Sequence, residues 1–95
     1  MDYREVLSEP EFAVFSRLRA LRKTLSDQEG VPPYAVFTNE QLARIVQDRI
    51  VTITGLRELQ GVGASRAEKY GEAFLGMMRD AALPPPTPAP TPDEA

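Results

Sequence analysis

The chain contains no cysteine, no histidine and no tryptophan. Without cysteine there is no disulfide framework and no thiolate zinc site. Without histidine there is no Ser–His or Cys–His nucleophile system and no axial histidine for a haem. No apolar run approaches the roughly 18 residues that span a bilayer. The opening MDYREVLSEPEF lacks the basic-then-apolar layout of a secretory leader. No phosphate-binding P-loop and no metal-ligand spacing occur. These absences lead to the expectation of a soluble, cytoplasmic module without cofactor, metal or membrane contact, a binder rather than an enzyme.

What is present is short and nearly balanced. Ninety-five residues carry 14 acids against 11 bases, a formal charge of −3, and 42% are hydrophobic. One small domain is the upper bound, burying about 60–65% of its unfolded surface. Residues 84–95 hold six of the nine prolines and only Asp93 and Glu94 as charges, so the remainder stands at 11 − 12 = −1. Bulk charge therefore says little about partners. Local clustering says more: Arg17, Arg19, Arg22 and Lys23 fall within seven residues that contain no acid.

The proline-rich stretch lacks the apolar content that offsets chain ordering, so residues 84–95 are expected to be a disordered tail or linker after a folded domain at 1–83. A polyproline ligand for another domain is the alternative. The body reads as an all-α bundle, because no stretch alternates apolar and polar residues as a half-buried strand does. Ser8 with Glu11 forms a capping box, flanked by Leu7 and Phe12 at the staple positions. Val14, Leu18, Leu21 and Leu25 then recur within about a 60° sector, and Gly30 suits a helix end. The first long helix is thus expected over about 9–28. Thr38 with Gln41 forms a second capping box for a helix carrying Leu42, Ile45 and Val46 and ending near Asp48. Thr52 caps a short third helix with Ile53, Leu56 and Leu59. A fourth is expected over about 64–81, with Ala67, Tyr70, Phe74, Met77, Met78 and Ala81 inward. Gly71 lies inside that stripe at a cost of about 0.5–1 kcal/mol against Ala, which implies a close helix crossing.

Two features rise above a plain bundle. The first is the connector Gly30-Val31-Pro32-Pro33-Tyr34-Ala35-Val36-Phe37, directly after the basic run. Arg19, Arg22 and Lys23 share a sector of the first helix clear of its apolar stripe, while Arg17 lies on the stripe's flank. Cations beside a proline-stiffened loop that presents a tyrosine suit single-stranded nucleic acid, since phosphates meet the cations and any base can stack on the ring. Thr38 is included in the same candidate face. A solvated helix face plus a core tyrosine would give the same pattern. The second feature is the Gly61-Val62-Gly63 turn between helices, followed by Arg66 and Lys69. Backbone N–H groups at such a hairpin approach a phosphate, and Arg66 and Lys69 could assist. A tight turn that needs glycine for its geometry explains the same residues. A catalytic reading is poor: Glu9, Glu11, Asp27, Glu29 and Glu40 lie near helix ends, where capping, dipole compensation or loop solvation account for them.

Taken together, Phe15-Ser16-Arg17-Leu18-Arg19-Ala20-Leu21-Arg22-Lys23, Val31-Pro32-Pro33-Tyr34 with Phe37, Leu59-x-Gly61-Val62-Gly63 and Lys69-Tyr70-Gly71-x-x-Phe74-Leu75 resemble the HRDC domain of RecQ-type DNA helicases and of RNase D. The likeness covers residues 11–80. It implies a small helical bundle of four main helices plus a short helical turn at 33–37, with no enzymatic activity of its own. It implies an auxiliary module of a DNA helicase active in repair and recombination, weakly binding single-stranded or branched DNA and associating with the nucleoid. Tyr34 and the basic residues Arg17, Arg19, Arg22 and Lys23 are the matching positions. A module contacting the helicase core or another protein is the alternative, and an RNA-positioning domain of an RNase D-type nuclease the second.

Overall fold

The structure is a computed structural model that describes residues 2–84. Local capping chemistry sets most element boundaries. Helix α2 spans Glu9–Glu29. Its capping box is complete: Ser8 Oγ accepts from the Glu11 N–H at 3.3 Å, and Glu11 Oε1 accepts from the Ser8 N–H at 2.9 Å. It ends at Gly30, which at φ +68° takes the left-handed conformation that glycine adopts without strain. Helix α4, Asn39–Gln47, opens with the second box, Thr38 and Gln41, at 3.1 and 2.9 Å. Helix α5, Ile53–Arg57, has only half a box: Thr52 Oγ1 accepts from the Gly55 N–H at 3.1 Å, and Gly55 has no side chain to reciprocate. Helix α6 covers Gly63–Ala81. The turn expected at 33–37 is helix α3, Pro33–Val36. The all-α expectation holds, with no strand among the described residues.

The structure adds an element and shifts the centre of the core. Tyr3–Val6 form a single-turn helix, α1, with Asp2 Oδ1 accepting from the Arg4 N–H at 2.9 Å. A four-residue helix does not stand alone in water. Here packing holds it: the Tyr3 ring lies 4.8 Å from that of Phe15, and Leu7 is buried behind it. Phe15, off the expected α2 stripe, is fully buried, whereas Leu21 and Leu25 are only partly so. The core gathers Phe15 and Leu18 from α2, Phe37, then Leu42, Ile45 and Val46 from α4, Leu56 from α5 and Phe74 and Leu75 from α6. Phe37 meets Phe74 edge-on at 4.8 Å and 87°, tying the connector after α3 to α6. The crossing implied by Gly71 is present: a Cβ there would stand 2.8 Å from Leu56 Cδ2 and 3.0 Å from Ile53 Cδ1.

One long-range clasp closes the fold. After α4, Arg49 adopts φ +52°, and the Ile50 N–H returns to the Ile45 carbonyl at 3.0 Å. Glycine or asparagine is usual at such a helix end. The arginine is held there by its side chain. Nη1 contacts Glu11 Oε2 and the Val46 carbonyl, each at 2.7 Å, and Nε donates to the Pro84 carbonyl at 2.6 Å. Both members of the ion pair are largely buried, with side chains 17% and 15% exposed. Burial is the largest single influence on the Glu11 carboxyl and pushes its pKa up. The hydrogen bonds from Arg49 and Ser8, with the Arg49 charge, together outweigh burial and hold it below its ordinary value. Pro84 is thereby fixed to the body, while the rest of the proline-rich stretch, expected to be a disordered tail, lies outside the described residues. No helix among the described residues is long and apolar enough to cross a membrane.

Candidate nucleic-acid interface

Tyr34 is displayed, not packed. Pro33 starts the single turn of α3 with its φ already helical. The Ala35 and Phe37 N–H groups return to the Pro32 and Pro33 carbonyls at 2.9 and 3.3 Å. Val36 and Phe37 are fully buried beneath the turn. The turn therefore has an anchored floor and a free crest, and Tyr34 on that crest is 67% exposed. The core-tyrosine explanation of this residue is excluded.

Beside the turn, α2 and the Val31–Pro33 corner enclose an open groove lined by Arg19, Arg22 and Lys23, with Asp27 among its walls. The three cations differ in state. Arg19 is exposed, with its guanidinium 5.7 Å from the Phe15 ring centroid. Lys23 is exposed and pairs with Asp27 at 3.2 Å, one helical turn on. Such surface pairs contribute only about 0–1 kcal/mol, so Lys23 is available at little cost, but the Asp27 carboxylate lowers the positive potential of the groove. Arg22 is half-buried, and its Nη1 donates to the Phe37 carbonyl at 3.0 Å. Its Nε is buried without a partner. Burial, and after it the Arg19 charge, lower the Arg22 pKa, though a guanidinium keeps its proton in any protein setting.

Two members of the candidate face stand apart. Arg17 lines a different groove, between α2 and α6, with Leu21, Met77, Glu72 and Asp80. Thr38 is half-buried, and its hydroxyl oxygen serves the α4 cap. Neither lines the Arg19–Arg22–Lys23 groove.

The Gly61–Gly63 turn has its own geometry. Gly61 and Gly63 take φ of +83° and +70°, and a Cβ on Gly61 would lie 2.9 Å from Gln41 Nε2. Val62 between them is buried in the core. Both glycines are thus accounted for by the turn itself. The nearby cations already have protein partners at the surface: Arg66 Nη1 donates to the Gly61 carbonyl at 3.4 Å, and the exposed Lys69 Nζ pairs with Glu29 at 2.7 Å. The hydrogen bond and charge of Glu29 raise the Lys69 pKa. The Lys69 contact joins the start of α6 to the end of α2, a pairing across 40 positions that sequence spacing does not reveal.

Comparison with known proteins adds a second line of evidence. The HRDC domain family matches residues 11–78. The ATP-dependent DNA helicase RecQ of Haemophilus influenzae is 33% identical over 67 residues, covering 70% of this chain and 11% of the helicase. That of Bacillus subtilis is 37% identical over 62 residues, covering 65% of this chain and 10% of the helicase. The matched stretch thus spans about a tenth of the length of these curated relatives.

Proposed function

The chain belongs to the HRDC domain family, and from that premise we propose that it is a non-catalytic auxiliary module of a RecQ-type DNA helicase that docks single-stranded or branched DNA weakly on the Arg19–Arg22–Lys23 groove and Tyr34. The observation that carries the reading is the exposed Tyr34 on an anchored turn whose preceding residue, Pro33, lines the groove with those cations, Tyr34 itself standing outside that lining. Arg19 and Lys23 offer charge to successive phosphates, and the ring offers a stacking surface that accepts any base. Phosphate charge and a base face are common to every nucleotide, so the binding proposed is sequence-independent. Weak contact suffices in a tethered module, because a linker supplies a high effective concentration. By holding the strand near the motor, the module tunes which DNA structures the helicase engages.

A contact with the helicase core or a partner protein is the second reading. The net charge of −3 and the Lys23–Asp27 pair favour it, since both weaken the attraction for phosphates. Fluorescence anisotropy with a labelled oligo-dT separates the two. Tyr34→Ala removes an exposed side chain and leaves the core untouched. It should weaken binding by about 1–3 kcal/mol, the usual worth of a stacked base. Equal binding by parent and variant would remove Tyr34 from the DNA face, and no binding by either would favour the protein-contact role. A matched RNA oligonucleotide bound more tightly than DNA would point to the nuclease setting.

A further inference from the structure

Resting on the DNA-face reading above, the structure assigns a different task to Arg22 from those of Arg19 and Lys23. We infer that Arg22 is a positioning residue: it fixes the α3 turn that displays Tyr34 and is not itself a phosphate ligand. A guanidinium grips a phosphate bidentately through one of two forks, Nε with Nη2 or Nη1 with Nη2. In Arg22 the first fork is closed because Nε is buried. The second is compromised because Nη1 is already given to the Phe37 carbonyl at 3.0 Å. That carbonyl belongs to the C-cap of α3.

The turn needs such a brace. Four residues make too short a helix to persist alone, and Pro32 at its N-terminus supplies no side-chain cap. The Phe37 N–H that closes the turn reaches the Pro33 carbonyl at 3.3 Å, a long bond. Val36 and Phe37 hold the turn's floor in the core. The charge-assisted bond from Arg22 is the polar contact that ties its end to α2. A ring on a fixed crest loses less freedom when a base stacks on it, so bracing the turn raises affinity without touching the nucleic acid.

Arg22→Met keeps the length of the side chain and removes its donors. In the free 95-residue chain, amide hydrogen exchange at Ala35 and Phe37 should quicken by about fivefold or more, while Phe74 and Leu75 in α6 keep the parent rate. Affinity for oligo-dT should fall about three- to tenfold, with the slope of log K against log salt unchanged. Arg19→Ala, by contrast, should reduce that slope by about 0.7, the loss of one single-strand phosphate contact. In a Tyr34→Ala background, Arg22→Met should cost no further affinity, because its effect passes through the ring. A drop in slope of about 0.7 for Arg22→Met, with Ala35 and Phe37 exchanging at the parent rate, would overturn the inference and make Arg22 a phosphate ligand. Exchange that quickens equally in α6 would overturn it too, by showing general destabilisation. If the parent binds no oligonucleotide, the DNA-face reading falls, and the exchange rates at Ala35 and Phe37 still decide whether Arg22 braces the turn.

Discussion

Removing the Arg49 side chain should be among the more damaging single changes away from the apolar core. Arg49→Met keeps a long apolar stem in the left-handed position but deletes every donor. Four acceptors lose a bond: Glu11 Oε2, the Val46 and Pro84 carbonyls and, at a longer 3.5 Å, the Gln47 carbonyl. A fully buried pair stripped of one partner costs about 3–5 kcal/mol, and an exposed pair about 0.2–1 kcal/mol. With side chains 17% and 15% exposed, the Arg49–Glu11 pair lies between these limits. A loss of about 1.5–3 kcal/mol follows. For a domain of this size, each kcal/mol lowers Tm by about 4–8 °C. Circular dichroism at 222 nm across a urea series and a thermal ramp measures both. A double-mutant cycle with Glu11→Gln isolates the pair, with an expected coupling of about 1–2 kcal/mol.

The pH dependence has a fixed sign. The Glu11 carboxyl is held below its ordinary value in the folded state, so it contributes stability that is full above its unfolded pKa. That contribution is lost as pH falls through the folded value. The gap between parent and Glu11→Gln should therefore be constant near neutrality and close on acidification below about pH 4.5. A loss for Arg49→Met under about 0.5 kcal/mol, the range of an ordinary surface change, or a gap that widens in acid, would refute the reasoning.

Two further outcomes follow from single residues. Gly63→Val should destabilise by about 1–3 kcal/mol in thermal unfolding, because a β-branched residue is strained at φ +70° although no atom lies within 4 Å of its Cβ; a neutral result would show that the turn relaxes. Asp27→Asn removes the carboxylate that pairs with Lys23 and should strengthen oligo-dT binding about two- to threefold at low salt, the gain vanishing near 1 M salt, where screening is nearly complete; equal binding at both salts would remove Lys23 from the phosphate path.

Much of this architecture is legible in local sequence because its signals act over three or four residues. The Ser8–Glu11 and Thr38–Gln41 boxes are short-range chemistry, and both are present in the structure. Gly71 announces its crossing because a glycine inside an apolar stripe needs a reason. Helix α1 escapes such reading: its single turn depends on Tyr3 reaching Phe15. Arg49 escapes it as well, since its backbone strain is compensated by Glu11 and Pro84, which lie 38 and 35 positions away. At the candidate interface, clustering in sequence groups four cations that the helix then separates. Residues two apart project to nearly opposite sides of an α-helix, so Arg17 turns to α6 while Arg19 turns to α3. The Lys23–Asp27 pair has the i, i+4 spacing of helix-surface neighbours, although from sequence Asp27 reads only as a solvated group near a helix end. The burial of Arg22 is not legible in sequence, because it depends on where the chain returns after Pro33.

The central claim is that Tyr34 and the adjacent cations form one nucleic-acid face, and the most direct test is an NMR shift titration of the isolated chain with a short single-stranded DNA. The account predicts that amides of residues 19–23 and 31–38 move together. Those around Gly61–Gly63 and those of the α6 residues that share a groove with Arg17 of α2 should stay still. Two phosphate contacts, from Arg19 and Lys23, give an expected salt slope of about −1.4. If excess DNA at low salt moves no amide in those two segments, or moves only the Gly61–Lys69 corner, the account of this face is wrong.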